Sequence, residues 1–256
     1  MPDQHLKLRV VRKLENFAPL TADDRRTLCE SISQVRSVGA HMDLVHEGDA
    51  TESSNVFLSG FACRQKALPD GRRQITGYLL PGDICDIRQF LLRRMDHTIS
   101  TLSPVRVGVI DRQVARDLVE RHPRLSHALS CATLVEESIS REWLLNIGQR
   151  TAIERLAHLF CEIFIRLRAV GLTEGDCCEL PLTQAELADT LALSTVHINR
   201  TLQELRRQHV ISIRSRSLVI HDLGLLQSIG LFEPDYLHLD RDPGARIGLP
   251  EYSARA

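Results

Sequence analysis

"LTQAELADTLALSTVHINRTLQELRRQ", residues Leu182 to Gln208, sets apolar residues at helical spacing on both sides of a short centre, "ALST". Thr183 followed three residues later by Glu186 is a capping box, in which hydroxyl and carboxylate each satisfy a backbone amide that a helix start leaves free. Leu182 and Leu187 stand where a hydrophobic staple fixes how the chain enters. The spacing predicts a helix from Gln184 to about Leu191, and Ser194 is placed to cap a second one. Two short helices joined by a turn of three or four residues make a helix-turn-helix. Leu187, Leu191, Ile198, Leu202 and Leu205 form its buried side, with the small Ala188 where the helices cross. The opposite side presents Thr195, Val196, Asn199, Arg200 and Gln203, groups that reach base edges or phosphates.

Beyond this unit, "VISI" and "LVIH" flank "RSRS", a hairpin with Arg214 and Arg216 at its tip, placed to touch a DNA backbone. The formal net charge of the 256 residues is −1, so any basic surface is local. From Arg200 to Arg216 the sequence carries Arg200, Arg206, Arg207, Arg214 and Arg216 against the single acid Glu204. That asymmetry marks the C-terminal part for phosphate contact; a solvated helix face has the same charge pattern. His197 can approach a phosphate or serve as an ordinary surface side chain.

Upstream, residues from about Leu6 to Val35 read as helical, with "TADD" (Thr21 to Asp24) as a capping box. From Val38 to Ile110 short apolar runs are punctuated by Gly48, Gly60, Gly71, Gly82 and Pro104, which indicates a β-sandwich or barrel. "LPDGRR" reads as a hairpin turn within it. A long helical pattern then runs from Pro123 to about Asn146. Leu125, Ala128, Ala132, Val135 and Ile139 recur along it at steps of three and four, which fits either a two-helix interface or packing on the chain's own sheets. A further amphipathic helix begins near Gly148 and ends at Gly171, and "LTEGDCCELP" reads as a polar loop. After Asp222 the pattern weakens.

A composition of 43% hydrophobic and 25% charged residues is that of a soluble globular protein, and a cytoplasmic location is expected. Lys7, Arg9, Arg12, Lys13 and Glu15 argue against a secretory signal. The seven cysteines, Cys29, Cys63, Cys85, Cys131, Cys161, Cys177 and Cys178, form no CxxC pair and no zinc-like spacing with His. Vicinal Cys177 and Cys178 are either redox-responsive or inert. No paired-carboxylate, P-loop or nucleophile-elbow signature supports an enzyme, and no metal or cofactor is expected.

From about Leu14 to Asp222 the chain resembles the Crp/Fnr superfamily of bacterial transcription regulators. The resemblance rests on "LTQAELADTLALSTVHINRTLQELRRQHVISI", supported by "HEGD", "FLSG" and "LPDGRRQITGYLLPGD". It implies an α+β fold: a β-roll sensor domain like those that bind cyclic nucleotides (1–122), a long dimerisation helix (123–147), a winged helix-turn-helix (148–232) and an irregular tail (233–256). A homodimer bound to palindromic double-stranded DNA is implied, with Thr195, Val196, Asn199, Arg200, Gln203, Arg207, Arg214 and Arg216 at the duplex. Arg200 matches the family's guanine-reading Arg, whereas Val196 stands where a Glu is usual. Ala192 holds a turn position often occupied by Gly.

The need for two recognition helices on one dyad favours the Leu125, Ala128, Ala132, Val135, Ile139 seam as the dimer interface. The hairpin at Arg72 and Arg73 resembles a region through which some members touch RNA polymerase, and is otherwise a solvated turn. Iron-sulfur members carry an N-terminal cysteine cluster, absent here. Cyclic-nucleotide binders use a Gly-Glu pair and then an Arg for the phosphate. Gly82 and Asp83 align with the pair, while Met95, Asp96 or His97 falls at the Arg position; Arg93 or Arg94 substitutes only if the register shifts. Gly82, Asp83, Cys85, Arg94, Asp96, His97 and Thr98 are the candidate pocket residues, and neither cyclic AMP nor cyclic GMP is expected as effector. The competing reading is a ligand- or protein-binding module whose helical domain is only a docking surface.

Overall fold

The computed structural model describes residues 3–50, 52–88 and 91–239. Two helices open the chain, α1 (Gln4–Glu15) and α2 (Ala22–Ser31). Thr21 starts α2 as its capping box requires: its hydroxyl accepts from the Asp24 amide at 3.2 Å, and the Asp24 carboxylate accepts from the Thr21 amide at 2.9 Å. Helix does not extend to Val35, contrary to the sequence reading. Val35 and Val38 lie in β1 (Gln34–Val38), whose backbone groups pair with β8.

Seven further strands build the sheet domain: β2 (Asp43–Val45), β3 (Ser53–Ser59), β4 (Ala62–Ala67), β5 (Arg73–Leu79), β6 (Ile84–Cys85), β7 (Thr98–Thr101) and β8 (Val105–Asp111). They form two four-stranded antiparallel sheets, ordered β1-β8-β3-β6 and β2-β7-β4-β5. Phe57, Ala62, Leu79, Cys85, Met95 and Ile99 form a buried cluster that draws on both sheets. The β4–β5 hairpin turns at Gly71 with φ +86°, a conformation that side-chain-bearing residues adopt only at a cost.

Helix α3 (Arg112–Arg121) ends at His122, and Pro123 opens α4 (Pro123–Gln149), where its missing amide is no loss. Leu125, Ala128 and Leu129 on α4 pack into a core with α1, α2, α3 and β3, while Val135, Ile139 and Trp143 join a second core with β5 and α5. α4 therefore runs past both halves of the chain. α4 continues to Gln149, so the amphipathic helix read from Gly148 starts instead at Ala152, as α5 (Ala152–Ala169).

After α5, "LTEGDCCELP" is a hairpin and not a loop: β9 (Thr173–Glu174) and β10 (Cys177–Glu179) pair across Gly175, and β10 pairs with β12. Cys178 faces inward, and burial pushes its thiol up to about 12. Then come α6 (Gln184–Leu191), α7 (Thr195–Arg207), β11 (Ile211–Arg214), β12 (Ser217–Ile220) and α8 (Leu223–Gly230), with a sheet order β11-β12-β10-β9. α8 was not legible as a helix in the sequence. It packs so closely on α5 that a Cβ at Gly230 would sit 2.6 Å from the His158 amide nitrogen. The first part of the expected irregular tail is also ordered. Pro234–Leu237 forms a 3-10 turn with Leu237 buried, and the Tyr236 hydroxyl donates to Glu162 Oε2 at 2.9 Å. The rest of the tail, 240–256, lies outside the described residues.

Candidate functional site

The helix-turn-helix is built as its sequence prescribes. The Glu186 carboxylate accepts from the Thr183 amide at 2.7 Å, the Thr183 hydroxyl accepts from the Glu186 amide at 3.2 Å, and the Ser194 hydroxyl accepts from the His197 amide at 3.2 Å. Between the helices Ala192 adopts φ +53°, ψ +45°, the left-handed turn that Gly would occupy without strain. Leu187, Ala188, Leu191, Ile198, Leu202 and Leu205 are all buried.

Thr195, Val196, Asn199, Arg200, Gln203 and Arg207 are all exposed on the outer side of α7, with His197 beside them. Val196 is 70% exposed, an uncovered apolar group in the middle of a polar face. Asn199 is held by Gln184 at 3.3 Å across the turn, and Arg207 pairs with Glu204. Among the described residues Arg200 has no hydrogen-bond or ion-pair partner, so its donors are available to a ligand. The wing turns through Ser215 (φ +47°) and Arg216 (φ +68°), the two positive-φ positions of a tight hairpin, and both Arg214 and Arg216 are exposed.

Helix α6 also docks on the sheet domain. Arg73 Nε donates to Asp189 Oδ2 at 2.6 Å, Gln74 donates to the Thr190 carbonyl oxygen at 3.0 Å, and the Tyr78 and Thr190 hydroxyls share a hydrogen bond. Arg73 is thus an interdomain contact, whereas Arg72 lies at the exposed hairpin tip paired with Asp70.

The sheet domain holds a cavity of about 290 Å³ between α1, the segment after β5, and α4. Apolar walls come from Leu14, Ile84, Ile87, Leu129 and Ala132, and polar groups from Lys13, Asp86, Arg88, Thr133 and Glu136. Of the seven candidate pocket residues only Gly82 lines it. Asp83 is turned toward the other domain and is 2% exposed, pairing with Lys13 on α1 and with Arg166 on α5 at 2.9 Å. Burial alone raises its pKa, and the two cations more than reverse that, holding the carboxyl below the ordinary range. Its reading as a candidate pocket residue is therefore corrected: Lys13 and Arg166 already satisfy its charge.

Cys85 and His97 meet at Asp86 beside the cavity. Arg94 points outward to the Gly48 carbonyl oxygen at 2.9 Å, the side chain of Asp96 is 83% exposed, and the Thr98 hydroxyl accepts from the Glu47 amide at 3.1 Å. Asp86 and Arg88 lie in the same stretch as the residues read from sequence and were passed over. Lys13 and Glu136 come from distant helices with no local signal.

The seam on α4 is corrected in the same way. Leu125 and Ala128 are fully buried, and Val135 and Ile139 are 7% and 8% exposed within the single chain, with Ala132 packed beside them. That side of α4 is occupied by the chain's own core. The uncovered apolar residues are Leu134, Leu144 and Leu145, 58%, 73% and 47% exposed. Among the described residues no helix is long and apolar enough to cross a membrane.

Residues 35–122 match the cyclic nucleotide-binding domain family, and residues 154–229 match the Crp-like helix-turn-helix domain family. The transcriptional activator protein FnrL of Cereibacter sphaeroides is 29% identical over 75% of this chain and 77% of that protein. The nitrogen fixation regulation protein FixK of Bradyrhizobium diazoefficiens is 30% identical over 65% of this chain and 69% of that protein. Among solved structures, FixK2 from Bradyrhizobium japonicum shares the fold with a TM-score of 0.69 at 22% identity, covering 77% of this chain and 96% of that one. With its sheet domain, long helix and winged helix-turn-helix in that order, the chain belongs to the Crp/Fnr family of DNA-binding transcription regulators, which are not enzymes.

Proposed function

We propose that the protein acts as a homodimer on a palindromic duplex, α7 of each protomer entering a major groove and Arg200 donating two hydrogen bonds to a guanine. The observation that carries this reading is the exposed, unpartnered guanidinium of Arg200 amid Thr195, Val196, Asn199 and Gln203. Val196 offers only apolar contact, suited to a thymine methyl. Arg207, Arg214 and Arg216 supply phosphate contacts. The dimer forms through the solvent-facing stripe of α4 at Leu134, Leu144 and Leu145, which a soluble monomer would leave wet. The exposed tip at Arg72 remains available to RNA polymerase.

The effector in this proposal is neither cyclic AMP nor cyclic GMP. Arg94, the residue a register shift would bring to a phosphate, is directed away from the cavity to the Gly48 carbonyl oxygen, and on the wall the carboxylates of Asp86 and Glu136 offset the charges of Lys13 and Arg88. Calorimetric titration of the purified protein with both nucleotides tests this: saturable micromolar binding overturns it.

Selection of bound sequences from random duplexes at a fixed salt concentration tests the DNA reading. An enriched palindrome is expected. Arg200→Ala then costs about 1–3 kcal/mol at the selected site and little on random DNA, while Arg214→Ala weakens both alike. Absence of any enriched palindrome favours a docking module instead.

A further inference from the structure

Beside the cavity, three side chains of different chemistry converge. Cys85 ends β6, Asp86 follows it, and His97 immediately precedes β7. Their ligating atoms all lie within 4.8 Å of one another. His97 is only 9% exposed, and its Nε2 is buried without a hydrogen-bond partner among the described residues. Its other ring nitrogen, Nδ1, is 2.7 Å from Asp96 Oδ1. A carboxylate there accepts a hydrogen bond from Nδ1–H, and in the neutral ring this leaves Nε2 as a lone pair facing inward, the arrangement by which metal-binding histidines are oriented.

That lone pair faces Asp86 Oδ2 at 3.3 Å. Two acceptors at such a distance repel unless a proton on Nε2 or a metal ion lies between them, and a metal ion that binds here takes the place of that proton. Bonds of about 2.0–2.1 Å to a tetrahedral zinc ion place a ligating nitrogen and oxygen about 3.3 Å apart. The Cys85 thiol donates to the same Asp86 oxygen at 2.6 Å, so a proton now occupies the position between sulfur and oxygen. With a metal bound, that pair opens to about 3.6 Å, given a Zn–S bond of about 2.3 Å.

We infer that Cys85, Asp86 and His97 form a three-ligand site for a zinc-class divalent ion, with Asp96 as a positioning residue. Charge balance supports it. Thiolate and carboxylate offset the two charges of the ion, and the neighbouring Arg64, whose Nε lies 3.7 Å from Asp86 Oδ2, has a second carboxylate in Glu136 at 2.9 Å. One thiolate, one imidazole and one carboxylate suit zinc better than magnesium or calcium, which prefer all-oxygen ligands. Asp86 is also on the wall of the cavity, so the fourth coordination position opens toward it, to water or to an anionic small molecule. On binding, the Cys85 thiol proton leaves to solvent as the sulfur–metal bond forms, and no oxidation state changes.

Cobalt(II) serves as the probe, added to the full-length protein after chelator treatment. One ion per chain is expected, with a thiolate-to-cobalt charge-transfer band and tetrahedral ligand-field absorption, both displaced by zinc. Cys85→Ser removes the charge-transfer band, and Asp96→Asn weakens binding about 10–100-fold while keeping the band at saturation. Cys161→Ser, a buried thiol elsewhere, leaves both unchanged. A wild-type protein that shows no band overturns the site whatever the variants do. So does a band that survives in Cys85→Ser. Thermal melts of the metal-free variants separate a lost ligand from a lost fold: a Cys85→Ser protein that melts like the wild type and lacks the band supports the assignment, and if Cys85→Ser does not fold, the Asp96→Asn affinity decides.

Discussion

Arg166 on α5 of the DNA-binding domain lies 2.9 Å from Asp83 of the sheet domain, and both side chains are nearly inaccessible to solvent, at 11% and 4% exposure. Lys13 reaches the same carboxylate from α1, Glu162 binds Arg166 at 3.0 Å, and the Trp143 indole donates to Glu162 at 2.9 Å. The ladder ties α1, the sheet domain, α4 and α5 together at one point. Breaking a buried pair leaves a desolvated charge behind, which costs about 3–5 kcal/mol. Asp83→Asn is therefore expected to lower the unfolding free energy by about that much in urea titration. A loss below about 1 kcal/mol would mean that Arg166 and Lys13 find other partners.

Ala192 sits in the left-handed region between α6 and α7, where an L-residue with a Cβ is strained by about 1–2 kcal/mol relative to Gly. Gly gives back part of that through the larger entropy of its unfolded chain. The net expectation for Ala192→Gly is a gain of about 0.5–1 kcal/mol, read from denaturant unfolding, with unchanged affinity for DNA. A destabilised variant would show that the Ala192 methyl makes contacts worth more than the backbone strain.

The helix-turn-helix was legible because its signals are local: cap, staple and buried stripe lie within one stretch of 27 residues, and the structure places each as the spacing implies. The seam on α4 was misread for a physical reason. That helix has apolar residues on two sides, and periodicity reports that Leu125 to Ile139 form a stripe without saying whether the stripe meets a partner or the chain itself. Asp83 was misread because its partners are 70 and 83 residues away in sequence. The β9–β10 hairpin escaped notice because strands of two and three residues carry too few alternations to register against Gly175 and the surrounding charge.

The proposed dimer stripe gives a sharp comparison. Leu134→Glu with Leu145→Glu changes two exposed positions, so the fold of the single chain is expected to keep its stability within about 0.5 kcal/mol per site. Two protomers facing each other along α4 would bring four carboxylates into one apolar interface. Sedimentation is expected to report monomers, with DNA affinity lowered at least tenfold because each half-site is then read alone. A dimer that persists would place the interface on another surface.

His158 on α5 provides a pH test confined to the DNA-binding domain. It is 1% exposed, stacked on Tyr236 and set edge-on to Phe232, with the Gly230 carbonyl oxygen 3.3 Å from Nδ1. Burial, with the Arg150 charge adding to it, lowers its pKa to about 4, against the attraction of the Gly230 carbonyl. Glu142 at 3.8 Å is the nearest carboxylate, and Glu162 is reached through the Tyr236 hydroxyl. The unfolded chain, with an ordinary His pKa of about 6.5, takes up the proton first as pH falls. Stability is therefore full above about pH 6.5 and declines toward pH 4 by up to about 1.4 kcal/mol per pH unit, a total near 3 kcal/mol from this residue. His158→Gln removes the titrating group, so its unfolding free energy starts lower at pH 8 but falls less steeply between pH 6.5 and 4. Parallel pH profiles for the wild type and the variant would show that His158 is protonated in the folded protein, with Glu142 as its counter-ion.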